Sequence, residues 1–294
     1  MIRSRLLQLP DQRILAYSDV GEPAGPVVIL AHGIPGCRLY GGLFSDWANY
    51  LGLRILTPDR PGWGGSTFVR QTHTDWAGDA LFLLDHLGIK EFVALGGSGG
   101  GAYALALAAR FPTRTKGVAL VSAMGPSDTP ETRRLAPFRL RFALSLVGAP
   151  YRLIHWMARA LLRRMNRSRN AQDLPLEEEL DLKGLRLEAL RAGAPAYLRE
   201  LRLGRKWDFS ISDIRVPVRI WHGDRDRKAP VALMEPVLAK LPSATLTLVK
   251  GGHDATTAST EEFLRWLAHC LSEGGRTNHL VGDPSGETRA DKTD

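Results

Sequence analysis

Residues 91–100 read Glu-Phe-Val-Ala-Leu-Gly-Gly-Ser-Gly-Gly, and the pentapeptide Gly96-Gly97-Ser98-Gly99-Gly100 within them decides the fold. The apolar run at 91–95 has the length of a buried strand. Residues 102–111 are rich in Ala and Leu and stop before Pro112, as a helix would. A G-x-S-x-G sequence between a strand and a helix makes a sharp turn that holds its serine in strained backbone. Only glycine-sized neighbours avoid clashes there, which accounts for Gly96 and Gly100. The turn lifts the hydroxyl above the strand end, at a helix N-terminus whose free N–H groups and dipole favour developing negative charge. The plain alternative is a glycine-rich turn with an incidental serine; the strand–turn–helix setting speaks against it.

Working outward, the same apolar pattern recurs at 6–9, 13–18, Val27–Ala31, 54–57, 118–122, 218–221 and 245–249. Helical spacing appears at 75–87, which stops at Gly88, and at 261–271, where Phe263, Leu264, Leu267 and Leu271 share a side. Strands alternating with helices predict an α/β fold, a mostly parallel eight-stranded sheet with helices on both faces. Between 125 and 207 the strand pattern stops and the chain reads as helical. We expect a core of residues 1–124 and 208–272, an inserted helical cap at 125–207, and a polar, disordered tail at 273–294.

A serine hydroxyl is a weak nucleophile and needs a base. His253, in Lys250-Gly251-Gly252-His253, directly follows the last strand, where a loop can swing a side chain over the strand ends. The base in turn needs an orienting carboxylate. The segment Gly223-Asp224-Arg225-Asp226 ends the preceding strand and offers two, Asp224 and Asp226, with Asp128 a more distant third. An oxyanion needs two backbone N–H groups aimed at one point. Gly99, next to the serine, supplies one. Ile34 in His32-Gly33-Ile34-Pro35-Gly36 is the candidate for the other, because Pro35 has no N–H. His32 reads as a residue that shapes its loop by hydrogen bonding.

Together these segments resemble the α/β-hydrolase fold family, in its serine-nucleophile, esterase- and lipase-like branch, over about residues 1 to 272. The motifs that carry the resemblance are His32-Gly33-Ile34-Pro35-Gly36, Asp59-Arg60-Pro61-Gly62-Trp63-Gly64-Gly65-Ser66, the serine turn, Gly223-Asp224-Arg225-Asp226 and Gly251-Gly252-His253. In that family the acid stands three residues after the glycine of the fourth motif, which selects Asp226 and gives the chain order Ser98, Asp226, His253. The resemblance implies that the segment from Asp59 to Ser66 is a structural loop near the pocket, not a catalytic one. A serine at position 98, where the dehalogenase and epoxide hydrolase branches carry aspartate, implies acyl-enzyme chemistry on a small carboxylic ester, thioester or related carbonyl compound. The same triad also serves C–C bond hydrolysis and cofactor-free perhydrolysis in this family, and some members are non-catalytic binding proteins. Asp254, beside the base, departs from the expected pattern: it either perturbs the base or faces water.

Composition narrows the field further. The longest apolar runs are far too short to cross a bilayer, and the first residues lack a secretory h-region, so the sequence-based expectation is a cytoplasmic protein. Cys37 and Cys270 are expected as free thiols, with Cys37 a small buried hydrophobe. Nothing asks for a metal or an organic cofactor. The formal net charge is +8, but residues 131–170 hold ten arginines and one acid, a net +9. The remaining 29 basic and 30 acidic residues nearly cancel, so the charge is local and does not indicate nucleic-acid binding. Arg152, His155, Arg159 and Arg163 share one helical face opposite Leu153, Ile154, Met157 and Leu161. That face is either a solvated basic surface or a device that attracts an anionic small-molecule substrate or an anionic membrane surface. Oligomeric state is not legible.

Overall fold

The structure is a computed structural model that describes residues 3–127, 129–136, 182–191, 195–241 and 243–272. Eight strands form one sheet: β1 (Arg3–Gln8), β2 (Ile14–Gly21), β3 (Val27–Ala31), β4 (Arg54–Pro58), β5 (Phe92–Gly97), β6 (Thr115–Val121), β7 (Val218–Gly223) and β8 (Ala244–Val249). Their spatial order is β1-β2-β4-β3-β5-β6-β7-β8. The β1–β2 and β2–β4 pairings are antiparallel and the others parallel, as expected of a mostly parallel sheet.

Why the central strands are so apolar follows from what covers them. Along β3, Val27, Ile29 and Ala31 enter one buried cluster while Val28 and Leu30 enter the other; Phe92 and Ala94 divide from Val93 and Leu95 in the same way. A strand buried on both faces must be hydrophobic throughout, so its period-2 alternation vanishes. Helices His73–His86 and Gly101–Arg110 cover the first face, and helices Ser45–Tyr50 and Thr260–Ser272 the second. In Thr260–Ser272, Phe263, Leu264 and Leu267 form the buried stripe.

Among the described residues the sequence-expected strands and helices are present, with ends that differ for identifiable reasons. Strand β1 begins earlier and β2 runs later than the apolar windows because polar residues extend the pairing. Asp19 sits within β2, and Arg54 of the adjacent strand bridges to it at 2.8 Å. Helix His73–His86 starts two residues before the expected 75. Thr72 caps it, accepting from the Asp75 N–H while the Asp75 carboxylate accepts from the Thr72 N–H. Helices Pro130–Leu135, Leu182–Ala189 and Pro195–Leu203 fall within the stretch expected to be inserted. Asp128, the arginine-rich face at 152–163 and the tail at 273–294 lie outside the described residues.

The register brings one end of the sheet close to alignment. Gly97 pairs with Val121, Val121 with Trp221, and Gly223 with Val249, so β5 and β6 finish together and β7 and β8 two residues further on. The loops after them carry Ser98, Ser122, Asp226 and His253. The carboxyl ends of parallel strands are where open α/β sheets place ligands.

Candidate active site

Ser98 sits directly after β5 with φ of 51°, in the left-handed region that a residue with a Cβ rarely enters. The surrounding glycines explain how the chain tolerates this. A Cβ on Gly100 would lie 2.0 Å from the Ala31 carbonyl oxygen, and one on Gly96 would lie 2.9 Å from the Ala104 Cβ. Helix Gly101–Arg110 can therefore start hard against β3 only with glycines there, and the strained serine stays at the tip of the turn.

The loop after β3 lies against this turn. Gly33 approaches Ser98 so closely that a Cβ on it would be 3.5 Å from the Ser98 Cβ, and the Ile34 side chain occupies the space beside Gly99. Ser98, Gly99 and Ile34 line one cavity of about 140 Å3, together with the apolar side chains of Ala102, Met124, Tyr197, Leu201 and Trp207. His32 is fully buried. Burial and the neighbouring Arg60 cation hold its imidazole well below the usual histidine range. The Arg60 backbone N–H donates to its Nε2 at 3.3 Å, so the proton resides on Nδ1, which donates to the Gly33 carbonyl at 3.0 Å. His32 thus shapes its loop, as expected.

Across the sheet, His253 Nδ1 donates to Asp226 Oδ2 at 2.7 Å. The Asp226 side chain is buried, while His253 retains slight exposure. The other carboxylate oxygen accepts the backbone N–H groups of Lys228 and Ala229 at 2.8 and 2.9 Å. Burial pushes this carboxyl up, but the hydrogen bonds from His222, His253 and the Ala229 N–H outweigh it and hold it well below the usual carboxylate range. His222 Nε2 faces two acceptors, this carboxylate at 3.5 Å and the Ala229 carbonyl at 2.6 Å, and the ring is wholly buried. Asp224, the competing acid, accepts the Gly251 N–H at 2.7 Å, pairs with Arg225 at 3.5 Å and is 40% exposed. It braces the loop that carries His253. Asp254 is 84% exposed and bridges to Lys228 at 3.3 Å, so it faces water.

Three features were not legible from motifs. The segment after β6 ties both loops together: the Ser122 hydroxyl donates to the His253 carbonyl at 2.7 Å, and the Met124 N–H donates to the Ser98 carbonyl at 3.1 Å. Second, the cavity wall includes His73 and Glu200. His73 donates to Asp208 at 2.8 Å, and Asp208 also accepts the first N–H groups of helix His73–His86. Third, Glu200 Oε1 accepts from Tyr103 at 2.9 Å and Trp63 at 3.3 Å and lies 2.9 Å from Arg60 Nε. The only sequence signal for Glu200 is its position: Ala196, Glu200 and Leu203 form the buried face of Pro195–Leu203, a carboxylate where an apolar residue would be expected.

Among the described residues no cluster of three or more His, Cys, Asp or Glu side chains could hold a metal, and no helix is long and apolar enough to cross a membrane. Neither Cys37 nor Cys270 is in a disulfide; Cys37 is buried, and burial pushes its thiol far up, as suits a packing residue.

A family model described as the alpha/beta hydrolase fold matches residues 26–256. A pimeloyl-[acyl-carrier protein] methyl ester esterase from Aromatoleum aromaticum is 31% identical over 229 residues, covering 75% of this chain and 88% of its own length. A bifunctional esterase/perhydrolase from Acinetobacter calcoaceticus is 25% identical over 248 residues, covering 76% and 83%. A carboxylesterase structure from the thaumarchaeon Nitrososphaera gargenis superimposes with a TM-score of 0.67 at 17% identity, covering 92% of this chain and 98% of the other. Motifs, sheet topology and these likenesses agree, and the chain belongs to the α/β-hydrolase fold family.

Proposed function

We propose that the protein is a serine hydrolase that cleaves a small carboxylic ester, thioester or related carbonyl compound through an acyl-enzyme. Ser98 is the nucleophile, His253 the general base and Asp226 the carboxylate that orients it. The observation that carries the reading is the 2.7 Å His253–Asp226 hydrogen bond, made between the loops after β8 and β7 at the same end of the sheet where Ser98 follows β5. It commits the Nδ1 proton of His253 to the carboxylate and leaves Nε2 as the basic nitrogen. In the mechanism, Nε2 takes the Ser98 proton as Oγ attacks the carbonyl. The N–H groups of Gly99 and Ile34 bind the oxyanion. The imidazolium, stabilised by Asp226, returns its proton to the leaving group, and a water activated by His253 then cleaves the acyl-enzyme.

The acyl group sits in the small, largely apolar cavity beside Ser98, walled in part by Tyr197 and Leu201 of helix Pro195–Leu203. Ester cleavage is favoured over perhydrolysis because similarity is greater to the methyl ester esterase than to the esterase/perhydrolase. A binding-only role fits poorly with an intact His253–Asp226 pair.

A panel of p-nitrophenyl esters of increasing acyl length, run beside acyl-CoA thioesters and a peracid assay, tests the reading. Turnover should be highest on short acyl groups. Ser98→Ala should lower kcat by roughly four powers of ten. An unchanged kcat in Ser98→Ala on any turned-over ester refutes the assignment.

A further inference from the structure

Arg60 contacts no substrate in this mechanism, yet it is wholly buried and held from several directions. Its Nη1 donates to the His32 carbonyl at 2.6 Å and its Nη2 to the Gly33 carbonyl at 3.0 Å. Its Nε lies 2.9 Å from Glu200 Oε1, and its guanidinium carbon is 4.7 Å from the centre of the Tyr103 ring. The buried Tyr103 phenol, raised well above its ordinary range by burial and by Glu200, stays protonated and donates to that same Glu200 oxygen.

What matters is which carbonyl Arg60 grips. The Gly33 C=O and the Ile34 N–H belong to one peptide unit, and that unit is planar. Fixing the direction of the C=O fixes the direction of the N–H. Two donors converge on this oxygen, Arg60 Nη2 and His32 Nδ1, and His32 is itself held by the Arg60 backbone N–H. A cation on the carbonyl oxygen also polarises the amide and makes its N–H a better donor.

We propose that Arg60, anchored by Glu200 of helix Pro195–Leu203, is the positioning residue that orients and polarises the Gly33–Ile34 peptide. The helix that walls the acyl cavity thereby sets the aim of one oxyanion donor. The inference rests on Ile34 as that donor.

The test compares a phenyl ester with its thionoester, in which C=S replaces C=O. Sulfur accepts hydrogen bonds weakly, so the ratio of kcat/KM between the two reports on oxyanion donors. Wild type should prefer the oxygen ester well beyond the ratio for hydroxide. Arg60→Lys keeps the charge but cannot serve both carbonyls. It should lower kcat and the oxo/thiono ratio by roughly ten- to a hundredfold, with KM changed less than about twofold. The double variant Arg60→Met, Glu200→Gln removes both buried charges together, which avoids stranding one of them, and should show the same loss. Thermal unfolding establishes that each variant is folded. A folded variant with lowered kcat but the wild-type ratio overturns the inference, leaving Arg60 a stability residue. If wild type itself shows no preference beyond hydroxide, the oxyanion assignment falls, and the inference with it.

Discussion

Two acids separated by one residue have opposite environments, and the difference decides what each does. Asp226 is buried with both oxygens hydrogen-bonded, one of them to His253; Asp224 is half exposed and holds a backbone N–H of the Gly251 turn. Asp226→Asn should lower kcat by about 10⁴, because an amide cannot accept the Nδ1 proton and charge-stabilise the imidazolium at once. Asp224→Asn should change kcat by less than about tenfold, since its backbone acceptor survives as an amide oxygen. Steady-state kinetics of the two variants checks both; equal losses contradict the assignment. The pH dependence of stability offers an independent reading. A carboxyl whose folded pKa is depressed contributes stability that is fully present above its unfolded value of 3.8, and that is lost as pH falls through the folded value. The gap in unfolding free energy between wild type and Asp226→Asn should therefore shrink as pH falls from about 6 to about 3. Urea titrations at both ends measure it, and a gap that widens on acidification contradicts the hydrogen-bond account.

At the scale of elements, the turn between β5 and helix Gly101–Arg110 works only because backbone from three elements meets there. Gly100→Ala would drive a Cβ against the Ala31 carbonyl. It should cost roughly 3 kcal/mol by overpacking and separate the Ile34 loop from Ser98. A variant with wild-type urea midpoint and activity would show that the close approach is not needed. The turn was legible in sequence because its geometry demands glycine, and glycine is visible. The loop that carries His253 was legible for a similar reason, Gly251-Gly252-His253 directly following β8. The Arg60–Glu200 network was not. Its members lie 140 residues apart along the chain, and neither burial nor an ion pair leaves a local pattern. Helix His73–His86 starts ahead of its apolar stripe because the polar cap Thr72 precedes that stripe.

For the whole molecule, the parallel order was implied by alternating strands and helices, and the buried core by their apolar runs. The order of strands in space was not, because it depends on crossovers that no single window of sequence contains. The charge distribution makes a prediction at this scale. If the ten arginines of residues 131–170 steer an anionic substrate, kcat/KM for a carboxylate-bearing p-nitrophenyl ester should fall as salt rises from about 0.02 to about 0.5 M, while that of a neutral ester holds constant. Parallel salt curves for the two esters would mark the arginines as a solvated surface. The central claim is that a single serine becomes covalently acylated. Intact-mass and peptide mass spectrometry after incubation with a fluorophosphonate tests it most directly. One adduct per chain, located on Ser98 and absent from Ser98→Ala and strongly slowed in His253→Ala, is the predicted result. An unmodified Ser98 in folded protein, or labelling that persists in Ser98→Ala, would contradict it.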